Sequence, residues 1–145
     1  PNLDQNSLNA LDSLTTNGLT KFNAKYGGGV PSACGEGAYS VNYVKNNVTY
    51  PVKYYSWGGV SQTTNILDPL DAGIQLLSAA FLFSGDKNDG LVSECSQRLG
   101  KVIRSNYWNN HLDAVNGFFG ITNLLEVNPK SIYRTHANRL QTAGL

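Results

Sequence analysis

The stretch that decides the fold runs from Lys101 to Asp113 and reads KVIRSNYWNNHLD. Its first seven residues are short, β-branched and aromatic, the composition of a strand, and they lead directly into a polar loop that carries His111. In open α/β sheets, loops after strand ends are where catalytic groups gather. On the far side, Leu112, Val115 and Phe119 predict a short helix after His111. Asn128 and Pro129 then open a last helix through Ile132, Tyr133, Ala137 and Leu140. Upstream, Leu70, Ile74, Leu77 and Phe81 sit near helical spacing from Pro69 to Phe83, with Asp68 as N-cap. Two alternating runs, AYSVNYV and VTYPVKYYSW, flank Lys45, Asn46 and Asn47 and predict a hairpin whose ladder Pro51 interrupts. Leu8, Leu11, Leu19 and Phe22 predict a first helix over about 7–25, capped by Asn6 or Ser7 and ended by Gly27, Gly28 and Gly29. Strands alternating with helices give an α/β class. Only two or three segments suit central strands, too few for a complete doubly wound sheet, so part of the fold is expected elsewhere.

Composition narrows the function. A 145-residue chain is about one domain, and 41% apolar with 14% charged residues is the balance of an ordinary globular protein. The longest apolar run, Leu76 to Phe83, is interrupted by Ser78 and is too short to span a bilayer. A net charge of +1 without a Lys/Arg cluster leaves no footprint for nucleic acid. The chain contains no Met and begins PNLDQN, without the basic and apolar regions of a signal peptide, which reads as a processed or cleaved product. Cys34 and Cys95 are either one disulfide in an exporting cell or two free thiols in a cytosolic one. Their polar neighbourhoods, SACGEG and SECSQ, favour the disulfide.

Chemistry centres on two loops. The N-D-G turn presents Asp89, and His111 follows 22 residues later. An imidazole that activates a hydroxyl needs a carboxylate to hold its tautomer and stabilise its charged form. Asp before His is also the order of the last two members of an α/β-hydrolase triad. By spacing alone a structural, hydrogen-bonded His111 is the commoner outcome. The nucleophile's signature, G-x-S-x-G on a strand-to-helix elbow, has no match in the chain, nor does any His-Gly pair open an oxyanion loop. Asp68 and Asp113 are hard oxygen donors suited to Ca²⁺, although each also reads as a helix-start acid, and no EF-hand loop is present. His136, in RTHANRL, reads as structural.

Seven blocks taken together resemble one family. FNAKY, SACGEGAY, YYSWGG, LDPLDA, NDGLV followed by Cys95, VIRSNYWNNHLD and RTHANRL occur in the order and spacing of the Pseudomonas and Burkholderia type bacterial true lipases of family I. The resemblance covers 1–145 and corresponds to the C-terminal half of such an enzyme, the part after its lid helix. It implies a triacylglycerol lipase with an α/β-hydrolase fold, incomplete without the N-terminal half that carries the nucleophilic Ser. Asp89 is then the triad acid and His111 the triad base. One structural Ca²⁺ is implied on Asp68, Asp113 and the main-chain oxygens of Gly117 and Ile121, where family members usually have Gln in place of Gly117. Cys34 and Cys95 are implied to pair. The resemblance further implies export through the periplasm to the medium, a lipase-specific foldase during folding, and triglyceride at a lipid-water interface as substrate. Leu91, Val92 and Leu112, beside the two catalytic positions, are expected either to line an acyl pocket or to pack the core. A non-catalytic Ca²⁺-binding module derived from such a lipase is the other reading.

Overall fold

The computed structural model describes residues 15–65, 67–81, 85–117 and 119–145. Helix α1 (Thr16–Tyr26) is capped by Thr15, whose hydroxyl accepts the Gly18 N–H at 3.0 Å. The helix expected over about 7–25 with Asn6 or Ser7 as cap starts instead at Thr16, because Thr15 is extended and supplies the cap; residues 1–14 lie outside the described residues. The hairpin forms as expected, with β1 (Ser40–Lys45) antiparallel to β2 (Val48–Lys53). Asn46 and Asn47, at φ 52° and 59°, make the turn, a conformation that Asn tolerates better than most side chains.

Pro51 does not interrupt the ladder. It pairs with Asn42 in mid-strand, because this sheet has two strands and a proline on an edge strand can turn its missing N–H side outward. The break comes instead at Tyr54, after which the chain starts a second sheet. There β3 (Tyr55–Gly59) runs parallel to β4 (Lys101–Tyr107), the strand expected from the opening stretch.

Between the parallel strands the chain makes a crossover that includes α2 (Asp71–Ser78) and a 3₁₀ turn (Ala79–Phe81). Helix α2 starts later than expected. Asp68 and Pro69 sit in the preceding turn, where Asp68 Oδ1 accepts the Leu70 N–H at 2.9 Å, and Leu70 occupies the cap position. The helix expected after His111 is reduced to a 3₁₀ turn (Asp113–Val115), because Asn116 enters the left-handed region at φ 77° and stops it. Helix α3 (Pro129–Thr142) forms as expected, capped by Asn128. It packs edge-on against β3 through Tyr133 and His136 on Trp57, with ring centroids 5.2 Å apart in both pairs. A parallel pair joined by a helical crossover, with a further helix against it, is an α/β arrangement.

Burial is unusually polar around the second sheet. Among the described residues the buried apolar side chains include Ile74, Pro129 and Ile132, whereas Asp68, Asp71, Asp89, Asn110 and Asp113 are all buried. Large apolar side chains face outward, including Leu76, Phe119 and Leu125. Exposed apolar surface on this scale marks an interaction face. Among the described residues no helix is long and apolar enough to cross a membrane.

A disulfide and Glu94 are among the links that hold the segment after Asp89 to the rest. Cys34 and Cys95 form the expected disulfide, closing a sequence separation of 61 residues, which stabilises the fold by about 4 kcal/mol in the chain-entropy account. Glu94 joins the same segment to β4, its Oε1 accepting from Ser105 Oγ at 2.6 Å and Arg98 Nη2 at 2.7 Å. The Ser105 hydroxyl first, and the Arg98 guanidinium second, hold the Glu94 carboxyl below the usual glutamate range. A group whose pKa is depressed on folding contributes stability above its unfolded value and loses it as pH falls through the folded one. Glu94→Gln is therefore expected to cost about 1–2 kcal/mol at pH 7 and progressively less below pH ~4. Paired urea melts across that range check this; an equal loss at pH 7 and pH 3 would refute it.

Candidate active site

The acid loop is built from the NDG turn. Gly90, at φ +100°, lets the chain reverse against Ile74, whose Cγ2 lies 2.1 Å from where a Cβ would stand. Asn88 Oδ1 accepts the Gly90 N–H at 2.9 Å, and Gln62 Nε2 donates to the Asn88 carbonyl at 2.7 Å. Asp89 is thereby turned inward. Its Oδ1 accepts the N–H groups of Leu91 at 3.0 Å and Val92 at 2.8 Å. Its Oδ2 faces His111 Nδ1 at 2.9 Å. The two residues are also joined through the backbone, since the His111 N–H donates to the Asp89 carbonyl at 2.9 Å.

The base loop leaves β4 at Tyr107 and is organised by Asn110, which is 1% exposed. Asn110 Oδ1 accepts the N–H groups of Leu112 and Asp113, both at 2.9 Å, while Nδ2 donates to Asp71 Oδ1 at 2.6 Å. This fixes the chain on both sides of His111. The imidazole is 43% exposed with Nδ1 engaged by Asp89, which leaves Nε2 as the nitrogen available to a reacting group. His111 and Asp89 border a cavity of about 320 Å³ whose wall includes Trp57, Val92, Ala114 and Val115. Of the three apolar neighbours expected at the site, Val92 lines this cavity; Leu91 and Leu112 do not, and Leu91 is exposed.

Behind the base loop lie three buried carboxylates, Asp68, Asp71 and Asp113. Asp71 is well provided with donors, the N–H groups of Thr64 and Asn65 at 2.6 and 2.8 Å and the Asn110 amide. Asp113 is not. Its Oδ2 accepts the Asn110 N–H at 3.1 Å, but its Oδ1 is buried without a hydrogen-bond partner. Burial pushes the Asp113 carboxyl up, and the nearby charges of Asp71 and Asp68 add to that. Gly117 and Ile121 come together beside it, Gly117 at φ +59° with the Ile121 carbonyl oxygen 1.9 Å from where its Cβ would stand. Among the described residues no three His, Cys, Asp or Glu side chains gather as metal ligands. A calcium site made of two carboxylates and main-chain oxygens needs no such trio, and the orphaned Asp113 oxygen suits one.

Asp71, Asn110, Gln62 and Gln97 carry much of this geometry and were not singled out from sequence. Asn110 had one signal, its place beside His111; the others act across distances that spacing does not reveal. His136, read as structural, does lie against Tyr55 and Trp57, and burial, reinforced by the Arg139 charge, pushes its imidazole below the ordinary value.

Comparison with known proteins agrees with the blocks read from sequence. A Vibrio cholerae protein named triacylglycerol lipase is 52% identical over 97% of this chain, which covers 42% of that protein. A Pseudomonas fragi triacylglycerol lipase is 39% identical over the full chain and 49% of its own length. One from Burkholderia plantarii is 30% identical over 99% of the chain and 46% of its own length. The chain is similar to these triacylglycerol lipases over nearly its whole length. It spans about half the length of the curated lipases it matches. No family model matches it.

In this chain the backbone at Gly117 is left-handed and the Ile121 carbonyl stands where a Cβ would lie. Any side chain there meets the Ile121 carbonyl and a left-handed backbone together. Gly117→Ala is expected to cost about 1–3 kcal/mol, read as a shift of the urea midpoint, and an unshifted midpoint would contradict the geometry.

Proposed function

We propose that residues 1–145 are the C-terminal part of a triacylglycerol lipase of α/β-hydrolase fold, supplying the acid and base of a Ser-His-Asp triad. The observation that carries this reading is the Asp89 carboxylate, gripped on Oδ1 by two backbone N–H groups and facing His111 Nδ1 with Oδ2 at 2.9 Å. That grip fixes the imidazole tautomer, so Nε2 is free to take a proton from a serine hydroxyl and return it to the leaving alcohol. The Asp89 carboxylate stabilises the imidazolium formed in between. The Ser, the oxyanion donors and the lid belong to an N-terminal portion, consistent with a chain that spans about half of its relatives. The exposed apolar side chains of α2 and of the segment around Phe119 offer that portion a docking face. Trp57, Val92, Ala114 and Val115 give the cavity beside His111 an apolar wall suited to the acyl chain of a triglyceride ester.

Asp68, Asp113 and the carbonyls of Gly117 and Ile121 would hold one Ca²⁺. The ion would supply positive charge to the buried Asp113 and stiffen the loop that presents His111, a structural role. The disulfide fits export through the periplasm to the medium, with a lipase-specific foldase assisting folding and the lipid-water interface as working surface.

Treatment of the active protein with a fluorophosphonate tests the triad. The label is expected on a serine outside residues 1–145, with the labelling rate falling on the order of 10⁴-fold in His111→Ala. A label on a serine of this chain would overturn the assignment. Protein that binds calcium yet never labels would point to a non-catalytic relative. The ion is tested separately by melting. Calcium at about a hundred times its Kd is expected to add ~2.7 kcal/mol, roughly 5–10 °C in Tm, reversed by a chelator and absent in Asp113→Asn. A chelator-insensitive Tm would sink the site.

A further inference from the structure

The loops that bring Asp89 and His111 together meet at the last two residues of β3. A Cβ on Gly58 would lie 2.0 Å from Gln97 Oε1, and one on Gly59 would lie 2.1 Å from the Asn109 carbonyl oxygen. Each glycine therefore lets one loop lie directly on the strand backbone. The base loop is tied there by the N–H groups of Val60 and Ser61, which donate to the carbonyls of Tyr107 and Asn109 at 2.9 and 3.3 Å. The acid loop is tied to Gly59 through the side chain of Gln97. Its Oε1 accepts the Gly59 N–H at 2.8 Å, and its Nε2 donates to the carbonyls of Gly59 at 2.9 Å and Val92 at 3.0 Å. Gln97 thus engages both backbone groups of Gly59, as a neighbouring strand would, and uses its remaining donor on Val92. Val92 is the residue whose N–H grips Asp89 Oδ1 and whose carbonyl accepts the Asp89 N–H at 3.2 Å.

We propose that Gln97 is a positioning residue for the triad, setting the height of Asp89 against the end of β3 and so the reach of its carboxylate to His111. The inference rests on the reading of Asp89 and His111 as acid and base. Gln97 also borders the cavity beside His111, so a KM held constant is the readout that separates an action through Val92 from a contact with substrate. A primary amide is required, because the arrangement uses one acceptor and two donors on one flat group. The isosteric carboxylate would keep the bond from the Gly59 N–H but would set a negative charge against two carbonyl oxygens.

The active protein is compared with Gln97→Glu and Gly58→Ala by kcat, KM, Tm and the proton NMR signal of the His111 Nδ1–H. Both variants are expected to lower kcat about 10- to 100-fold with KM held within about twofold, since an error of an ångström in a catalytic group costs that much. The Nδ1 proton should move or broaden in parallel. A drop in Tm with kcat and the Nδ1 proton unchanged would make Gln97 a structural tie only and overturn the proposal. Should Gln97→Glu fail to fold, Gly58→Ala decides, as it displaces the same amide while leaving it in the sequence. Wild-type protein that neither labels with a fluorophosphonate nor shows the Nδ1 proton would overturn the acid-base reading together with this inference. Unchanged variants of a labelling wild type overturn this inference alone.

Discussion

Burying several carboxylates close together is the constraint around which the second sheet is organised. Asp68, Asp71, Asp89 and Asp113 are all at most 5% exposed, and taking an ion out of water costs several kcal/mol unless donors replace the lost solvation. The chain meets this cost with amide donors. Asp89 receives two backbone N–H groups and an imidazole, and Asp71 receives two backbone N–H groups and the Asn110 amide. Asp113 is left short by one oxygen. Every one of these donors lies in a loop, so satisfying the acids and fixing the loops are the same event.

This explains why the site is held by polar contacts in a region with little apolar core. Hydrogen bonds to a buried carboxylate are directional, and removing one leaves a desolvated charge, so each donor's position is enforced at a cost of about 1–3 kcal/mol. Apolar packing would place the loops with less angular control. Asn110 shows the principle: one buried amide joins the first turn of α2 to both sides of His111. A change at the start of α2 is thereby felt at the base loop.

Legibility in the sequence follows the range of the forces involved. Local signals were readable: β4 over Lys101–Tyr107, the hairpin turn at Asn46 and Asn47, and α3 behind Asn128 and Pro129 were all expected where they occur. Where long-range contacts overrode local preference, the reading missed. Asp68 has the residue type of an N-cap, but it caps a turn, and α2 begins only where Asp71 finds the amides of Thr64 and Asn65. The helix after His111 has apolar spacing, yet the left-handed Asn116 stops it at one turn. Pro51 was misjudged for a related reason, because a proline breaks a ladder only if its N–H side faces a partner, and strand order cannot be read from the strand itself. At the site, only the run of family-like blocks singles out Asp89 and His111; their spacing alone fits any carboxylate and imidazole that happen to meet.

The end of β3 shows how far this dependence extends. Gly58 and Gly59 contribute no side chain, and in the sequence they read as the end of a strand pattern and nothing more. In the fold they are the surface on which the two loops converge, Gln97 lying against both Gly58 and Gly59 and Asn109 against Gly59. Two loops that approach one strand from different sides can hold a fixed separation only if the strand is both rigid and bare at that point. Rigidity comes from the pairing with β4, and bareness comes from the missing Cβ atoms. Two residues that carry no chemistry of their own thus act together with the direct bond from the His111 N–H to the Asp89 carbonyl in holding a carboxylate and an imidazole 22 residues apart.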